Sequence, residues 1–447
     1  MMNTHRPDKA TPRRTFLKAA SASVAAVKVA SSTRLARGQS ANDSVSVGLI
    51  GCGGRGRRVA NLMRGNANCR FIATSDPHTG RAESAALWAG SGAKTYEDFR
   101  DLLDHPGLDA VLIATPDHWH AGVGVLALRA GKDIYLEKPV ALTIAEGRAL
   151  IREHAKTDRV IQVGTQHRSA PHTAEAAELV RSGAIGKLHL VRVWTYMNLF
   201  PSGIGRQDDG TPPPELNWDL YLGPAPAVAF NPNRFGGTYR WFWDYSGGLA
   251  TDYGVHRFDS VHQITGATSP HTISASGGRL VLDDGAETPD TLIATFRYPE
   301  FVMTYEASAL STHGLGGRTP EFKNYRAFDQ HDRPSGMAFY GTEGALFVDR
   351  IGYELYPEPG HGTYRNKQGA DRTDLHTKNF IDCVRTRNQP NAPLVDGHHA
   401  TNIAHLANIA LKTGRTLRYD GEQELFANDA EANRQLARPH REPYDLI

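Results

Sequence analysis

The chain has 447 residues, a length too great for one ordinary domain and well suited to two. Its hydrophobic content of 40% and charged content of 22% are those of a soluble globular protein with a substantial core. The net charge is only +2 and no concentrated basic patch occurs, so neither nucleic acid nor an anionic membrane surface is expected as a partner.

The N-terminal segment resembles an export signal. Arg13 and Arg14 precede Phe16 and Leu17 in "TPRRTFLK", and a run of small, weakly apolar residues follows. This order is similar to a twin-arginine signal, which carries folded proteins across a membrane. We expect residues 1–43 to be a signal or disordered segment, and the protein to be periplasmic or loosely membrane-tethered. A disordered basic tail is the alternative interpretation.

Cysteine spacing and hydropathy argue against a disulfide-rich protein and against an integral membrane protein. Cys52, Cys69 and Cys383 stand far apart, without the short spacing of a zinc or redox motif, which argues against a disulfide framework. Beyond the N-terminal segment, no stretch approaches the roughly 18 apolar residues of a membrane-spanning helix. We therefore expect no integral membrane domain.

Strand-like and helix-like segments alternate from residue 45 to about residue 165. The segments "VSVGLI", "CRFIATSD", "LDAVLIATP", "DIYLEKP" and "VIQVGTQ" have the composition of buried strands, and helical patterns stand between them. Alternation of this kind with short turns indicates a parallel, doubly wound sheet. The sequence predicts an α/β domain over residues 44–165.

The pattern changes after residue 165. The strands "DTLIATFRY", "EFVMTYEAS" and "MAFYGTEGALFVD" follow one another without long helices between them, which predicts an α+β domain with a mostly antiparallel open sheet over 166–420. Helices within 376–415 are expected to pack back near the first domain. The polar tail, 421–447, is expected to be loose.

A dinucleotide site is predicted at the first turn. Gly51, Gly53 and Gly56 form G-x-G-x-x-G between the first strand and the first helix, with Gly54 and Arg55 inside the motif. Its glycines permit a tight turn and a close pyrophosphate, so the motif predicts a Rossmann nucleotide-binding domain.

The end of the second strand indicates which dinucleotide binds. Asp76 follows that strand, where a carboxylate binds the ribose 2′-hydroxyl, so NAD is favoured over NADP. Arg81 nearby keeps NADP open as an alternative.

Two further segments lie at the carboxyl ends of predicted strands, where ligands bind in open α/β sheets. They are "ATPDHWH" and "LEKP", and their candidate cofactor-contacting residues are Thr115, Pro116, His118, His120, Glu137 and Lys138. The two histidines alternate as metal ligands do, but no third ligand stands at a usable spacing. We expect them to pack around the cofactor and predict no metal.

The segment "DYSGGLATDYGVHRFDSVHQITG" carries an acid and a base one helical turn apart. In a helix, Asp252, His256, Asp259 and Gln263 share one polar, titratable face, while apolar residues take the other side. A solvated stripe on a surface helix is the alternative to an active-site helix.

Together these motifs resemble the Gfo/Idh/MocA family of oxidoreductases over nearly all of residues 45–420. The resemblance rests on "GLIGCGGRG", "ATPDHWH", "EKP" and "GGLATDYGVH". It implies an NAD(P)-dependent dehydrogenase of a carbohydrate hydroxyl, in which His256 exchanges the proton of that hydroxyl. Asp252 would orient or charge His256, and Lys138 would stabilise charge on the substrate oxygen.

Candidate substrate contacts flank this set. Gln166 and Arg168 follow the sixth strand, and Trp241 offers an aromatic face of the kind that stacks on sugar rings. Tyr253 stands next to Asp252. For these residues, an ordinary loop or packing role is the alternative.

Three functions stay open at this point. The first is net oxidation of a sugar, polyol or glycoside, and the second is redox-neutral glycoside cleavage with tightly bound NAD. A cofactor-binding protein without turnover is the third, and the complete set of Lys138, Asp252 and His256 disfavours it. The open second sheet predicts a homodimer or homotetramer.

Overall fold

A computed structural model describes residues 44–90, 92–312 and 334–447. The predicted export segment, 1–43, lies outside the described residues, so export stays a prediction. Residues 44–447 form one compact unit, which contains two sheets.

The first sheet has six parallel strands in the order β3-β2-β1-β4-β5-β6. The strands are β1 Val45–Ile50, β2 Cys69–Ser75, β3 Lys94–Tyr96, β4 Ala110–Ile113, β5 Asp133–Leu136 and β6 Ile161–Val163. The helices are α1 Gly54–Arg64, α2 Thr79–Ala89, α3 Phe99–Leu103, α4 His120–Arg129 and α5 Ile144–His154. The doubly wound fold predicted from the sequence is confirmed.

Both faces of this sheet are buried. Along β1, Leu49 belongs to one apolar cluster and Ile50 to another, because successive side chains of a strand point to opposite faces. A strand covered on both sides is mostly apolar, and all six residues of β1 are buried. Polar side chains can therefore lie together at the ends of the strands, which the helices leave uncovered.

The second sheet has ten strands in the order β14-β13-β12-β11-β7-β10-β9-β8-β15-β16. Its pairs are antiparallel except for β7 with β10. The strands are β7 Leu188–Tyr196, β8 Thr272–Gly278, β9 Thr291–Arg297, β10 Val302–Ser308, β11 Ser335–Gly341, β12 Gly344–Asp349, β13 Gly352–Pro357, β14 Arg365–Gln368, β15 Leu417–Asp420 and β16 Leu425–Phe426. The predicted antiparallel second domain is confirmed.

The helices in this part of the chain are α6 Pro171–Arg181, α7 Trp218–Leu222, α8 Val255–Thr265, α9 Thr373–Thr386, α10 Leu394–Thr413 and α11 Ala430–Arg434. Of these, α6, α8 and α10 pack against the second sheet. Phe258 of α8 packs edge-on against Phe296 and Tyr305, with ring centroids 5.9 and 4.9 Å away. Residues 255–265 are thus held against the sheet, with their polar side turned away from it.

Helix α9 leaves the second domain and packs on the first. Phe380 and Val384 lie in the same buried cluster as Val47 and Val59.

One face of the second sheet is exposed at β9. Leu292 is buried and its neighbour Ile293 is exposed, so the face that carries Ile293 is open to solvent at that strand. Assembly into a homodimer or homotetramer stays a prediction.

The C-terminal tail is not loose, and that expectation is wrong. Tyr444 is buried, with its ring edge-on to Trp119 at 5.6 Å. Arg438 Nε donates to Glu146 Oε1 at 2.6 Å, and Arg438 Nη2 donates to the carbonyl of His118 at 3.0 Å. The tail is polar in composition, but its charged groups have fixed partners inside the fold, and composition alone does not reveal this.

Within the described residues, no helix has the length and apolar character needed to cross a membrane. All three cysteines are free and buried.

Candidate active site

A cleft of about 920 Å³ lies between the strand ends of the first sheet and the second domain. Its wall brings together most residues that the sequence singled out: Gly51, Gly53, Gly54, Arg55, Asp76, Thr115, Pro116, His120, Glu137, Lys138, Gln166, Trp241, Asp252, Tyr253 and His256. Three predicted residues, Gly56, His118 and Arg168, are not on this wall.

The glycine loop has the geometry of a phosphate cradle. Gly51 has φ +90°, and a Cβ there would meet the backbone of Ala114 at 2.6 Å. A Cβ on Gly56 would lie 2.1 Å from the Gly51 carbonyl, so this glycine lets α1 pack against the turn. Gly53 and Gly54 have open space in front of them, at the N-terminus of α1. Residues of this kind fit the pyrophosphate of a dinucleotide.

Asp76 is fixed at the end of β2. Its carboxylate accepts hydrogen bonds from the backbone N–H groups of Cys52, at 2.8 Å, and His78, at 2.9 Å. Burial raises the pKa of Asp76, although both hydrogen bonds and the nearby Arg81 act in the opposite direction. The guanidinium of Arg81 lies 4.2 Å over the ring of Phe235. Asp76 and Arg81 both lie on the cleft wall, with the carboxylate fixed at the strand end where a ribose hydroxyl would bind.

Glu137 of the "LEKP" segment holds Arg55 of the glycine loop. Arg55 Nε donates to Glu137 Oε1 at 2.9 Å, and Arg55 Nη2 donates to Gln166 Oε1 at 3.4 Å. A Cβ on Gly164 would lie 2.8 Å from Glu137, so the neighbouring strand end encloses this carboxylate. Arg55 thus links the glycine loop to Glu137 after β5 and to Gln166 after β6.

Lys138 and Asp252 form the central contact of the cleft. Lys138 Nζ donates to the backbone carbonyl of Asp252 at 2.7 Å and to its Oδ1 at 2.8 Å. Arg240 Nε lies 3.0 Å from the same Oδ1. Burial alone would raise the pKa of Asp252, but Lys138 and Arg240 outweigh it and hold that pKa well below its usual range. Asp252 is a carboxylate shared by two cations.

His256 occupies the same cleft in a different setting. Among the described residues, no hydrogen bond joins His256 to Asp252, and Nδ1 of His256 is buried without a partner. The ring beside it is that of His167, with centroids 5.5 Å apart. Burial, followed by the nearby Lys138 ammonium, lowers the pKa of His256 well below its ordinary value. Both effects favour the neutral form of the imidazole.

The expected orienting contact from Asp252 to His256 is absent, and the helix begins with a π-helical turn that contains Asp252. Residues Ala250–Gly254 form a π-helical turn, and regular α-helix starts at Val255. The wider turn moves Asp252 off the α-helical stripe and towards Lys138. The solvated-stripe alternative is also wrong, because His256 and Asp259 are both buried.

Two predicted contact residues have structural partners elsewhere. His118 is buried, with Nε2 at 3.1 Å from the Tyr221 carbonyl, so it packs behind the cleft wall. Arg168 donates to Asp259 and to Asp396, each at 2.7 Å. Neither residue lies on the cleft wall, so the structure places His118 and Arg168 away from the expected cofactor and substrate contacts.

His120, in contrast, does line the cleft. Its Nδ1 lies 2.5 Å from the carbonyl of Pro139, and its Nε2 lies 3.0 Å from the carbonyl of Thr115. The ring therefore bridges the two strand-end segments. Within the described residues, no group of three side chains from His, Cys, Asp or Glu is arranged to hold a metal ion.

Sequence reasoning missed Arg240 and His167. Arg240 directly precedes Trp241 in an aromatic stretch, and His167 directly precedes Arg168, one of the predicted contact residues. Neither belongs to a periodic pattern with Asp252 or His256. Only one feature of the sequence points to Arg240: it is a single cationic residue among aromatic residues, close to the "GGLATDYGVH" motif.

Comparison with known proteins agrees with this geometry. Residues 45–165 match a family profile described as an oxidoreductase family with an NAD-binding Rossmann fold, and residues 178–289 and 366–446 match the C-terminal α/β domain of that family. The chain belongs to the Gfo/Idh/MocA family of oxidoreductases. This oxidoreductase binds NAD(H) through its first domain.

One curated protein and two solved structures illustrate what this chain is similar to. The scyllo-inositol 2-dehydrogenase (NAD(+)) of Bacillus subtilis is 26% identical, over 84% of this chain and 96% of its own. A solved levoglucosan dehydrogenase complex with NADH and levoglucosan shares the fold, with a TM-score of 0.63 and 18% identity over 84% of this chain and 99% of its own. Aldose-aldose oxidoreductase of Caulobacter crescentus gives a TM-score of 0.62 and 20% identity over the same shares.

Proposed function

We propose that this oxidoreductase oxidises a secondary hydroxyl of a sugar, polyol or glycoside with NAD⁺ as cofactor. The observation that carries the proposal is the Lys138–Asp252 contact beside a buried His256 on one cleft wall. The names of the relatives support a polyhydroxylated substrate, since they act on inositol, levoglucosan or aldoses.

In the proposed reaction, His256 accepts a proton and Lys138 stabilises a negative charge. NAD⁺, when bound at the glycine loop, supplies the acceptor for the hydride that leaves the substrate carbon. Nδ1 of His256 is buried, so Nε2 is the nitrogen available to take the hydroxyl proton. Two of the three Lys138 N–H groups are engaged by Asp252, and the third is left for the substrate oxygen. That ammonium stabilises negative charge as the proton leaves.

The remaining wall suits a sugar ring. Trp241 and Tyr253 offer aromatic surface, and Gln166 carries an amide whose oxygen accepts from Arg55. Apolar faces and hydrogen-bonding groups together match the two kinds of surface on a pyranose or cyclitol. These three residues are the proposed substrate contacts.

The proposed function is tested with a panel of inositols, aldoses, 1,6-anhydroglucose and alkyl glycosides, with and without added NAD⁺. We expect nicotinamide absorbance to rise together with a keto product for at least one compound. Glycoside cleavage without a net change in absorbance would instead show the redox-neutral reaction. If no compound gives either result, the proposed function is wrong.

Replacing Asp76 with alanine is expected to weaken NAD binding by about 10- to 100-fold, because a hydrogen bond to a charged group is lost. NADP binding should change far less, since its 2′-phosphate gains from removal of the carboxylate. Isothermal calorimetry with both dinucleotides measures the two affinities. Glu83→Ala, an exposed change on α2, is the control. Equal losses for NAD and NADP would contradict the assigned role.

We further propose export by the twin-arginine route and assembly into a homodimer or homotetramer. Arg13 and Arg14 support the first, because they precede a weakly apolar run. The exposed side of β9, which carries Ile293, supports the second.

A further inference from the structure

Arg240 is a cleft residue with an unusual pair of contacts. It comes from the 3₁₀ segment Gly236–Trp241, and its Nε lies 3.0 Å from Oδ1 of Asp252. Its Nη1 donates to the carbonyl of Gly237 at 3.2 Å, which anchors the guanidinium to its own segment. Lys138 approaches the same Oδ1 at 2.8 Å. One carboxylate oxygen is therefore held by a cation from each domain.

The segment that carries Arg240 is itself tied to the first sheet. Tyr239 Oη donates to Asp117 Oδ1 at 2.9 Å, and Ser246 Oγ donates to Asp117 Oδ2 at 2.5 Å. The guanidinium of Arg240 lies 4.7 Å from the centre of the Tyr239 ring. Asp117 follows β4, at the strand edge that lines the cleft. The position of Arg240 is thus set by both domains.

We propose that Arg240 is a positioning residue of the reaction: it fixes the Asp252 carboxylate so that Lys138 presents its remaining N–H to the substrate oxygen. An ammonium paired with a carboxylate alone can pivot, because both groups rotate about single bonds. A planar guanidinium with its own backbone anchor removes this freedom. The inference rests on the proposed function, since it assigns Lys138 to the substrate oxygen.

The charge balance supports the same role. Lys138 and Arg240 carry two positive charges and Asp252 carries one negative charge, so the group keeps one net positive charge on the cleft wall. Without Arg240, the Lys138–Asp252 pair would be neutral overall. A net positive charge favours the negative charge that develops on the substrate oxygen.

The test uses the most active compound of the panel and the full-length protein. Arg240→Ala is expected to lower kcat by about 10²-fold, because a small displacement of a catalytic group costs that much, while NAD affinity is unchanged. Guanidinium ion at millimolar, non-denaturing concentration should restore part of the lost kcat in Arg240→Ala. Arg240→Lys should retain more activity than Arg240→Ala, since it keeps the charge.

A double-variant comparison identifies the partner through which Arg240 acts. If Arg240 works through Asp252, the combination of Arg240→Ala with Asp252→Asn should be little slower than Asp252→Asn alone. The matched control is Arg234→Ala, because Arg234 donates to Glu287 at 3.1 Å, lies 4.5 Å from the centre of the Phe242 ring and is not on the cleft wall. Guanidinium should not raise the activity of that control.

The outcomes separate the inference from the proposed function. Absence of turnover by the parent protein on the whole panel would contradict the proposed function, and this is established before any variant is compared. With an active parent, wild-type kcat in Arg240→Ala would overturn the inference. So would fully multiplicative losses in the double variant, or a loss that guanidinium leaves unchanged while thermal unfolding shows a folded protein.

Discussion

Replacing His256 with alanine is expected to lower turnover by about 10² to 10⁴-fold, the usual cost of losing general acid–base catalysis. His256 lies on the cleft wall but outside the glycine loop that holds the dinucleotide, so NAD affinity should stay unchanged. Steady-state kinetics and calorimetry measure the two effects. His361→Ala, in which a half-exposed histidine is lost, is the matched control. Wild-type turnover in His256→Ala would remove His256 from the mechanism.

The pH dependence of kcat/KM in the parent enzyme should reflect the lowered pKa of His256. Burial, and then Lys138, holds the pKa of His256 well below its ordinary value, so the neutral base persists on acidification. In the oxidation direction, we expect kcat/KM to stay level through the usual histidine range and to fall only at lower pH. A midpoint at the ordinary histidine value would contradict the buried, cation-flanked site.

The second large effect is expected for Lys138→Met. In the proposed reaction, loss of the ammonium removes the group that stabilises charge on the substrate oxygen. The fall in kcat should therefore match that of His256→Ala, at about 10² to 10⁴-fold. Removing a positive charge from beside His256 also favours its protonated form. The acid limb of kcat/KM should therefore move to higher pH in Lys138→Met.

Two comparisons make the Lys138 result specific. Lys132→Met changes a lysine that donates to the Leu108 carbonyl at 3.0 Å and is not on the cleft wall, so kinetics should stay near those of the parent. The double variant at Lys138 and His256 should be little slower than either single variant, because the two groups act on one hydroxyl. An unmoved acid limb in Lys138→Met would show that Lys138 does not reach His256 electrostatically.

Local geometry explains which parts of the site could be predicted. Gly51, Gly53 and Gly56 lie between a predicted strand and a predicted helix, and this local order predicts the nucleotide loop. Lys138 directly follows a strand end, and strand ends of a parallel sheet meet at one edge. Both inferences need only short-range information and the topology of the first sheet.

The unpredicted parts depend on contacts between distant segments. Arg168 was expected in the cleft, but Asp259 and Asp396 bind it from the other side. Asp252 was expected beside His256, but the π-helical turn brings it to Lys138 and Arg240. Nothing in a helical repeat predicts the contact with Lys138, because Lys138 is distant from Asp252 in the sequence.

The most direct test of the proposed reaction is the fate of the hydrogen on the oxidised carbon. The best compound of the panel, deuterated at its ring carbons, is incubated with purified protein and NAD⁺, and the cofactor is analysed by mass spectrometry. One deuterium is predicted in the reduced cofactor, with His256→Ala giving at most about one hundredth of that rate. Formation of product with no deuterium in the cofactor fraction at any time would contradict oxidation at a carbinol carbon.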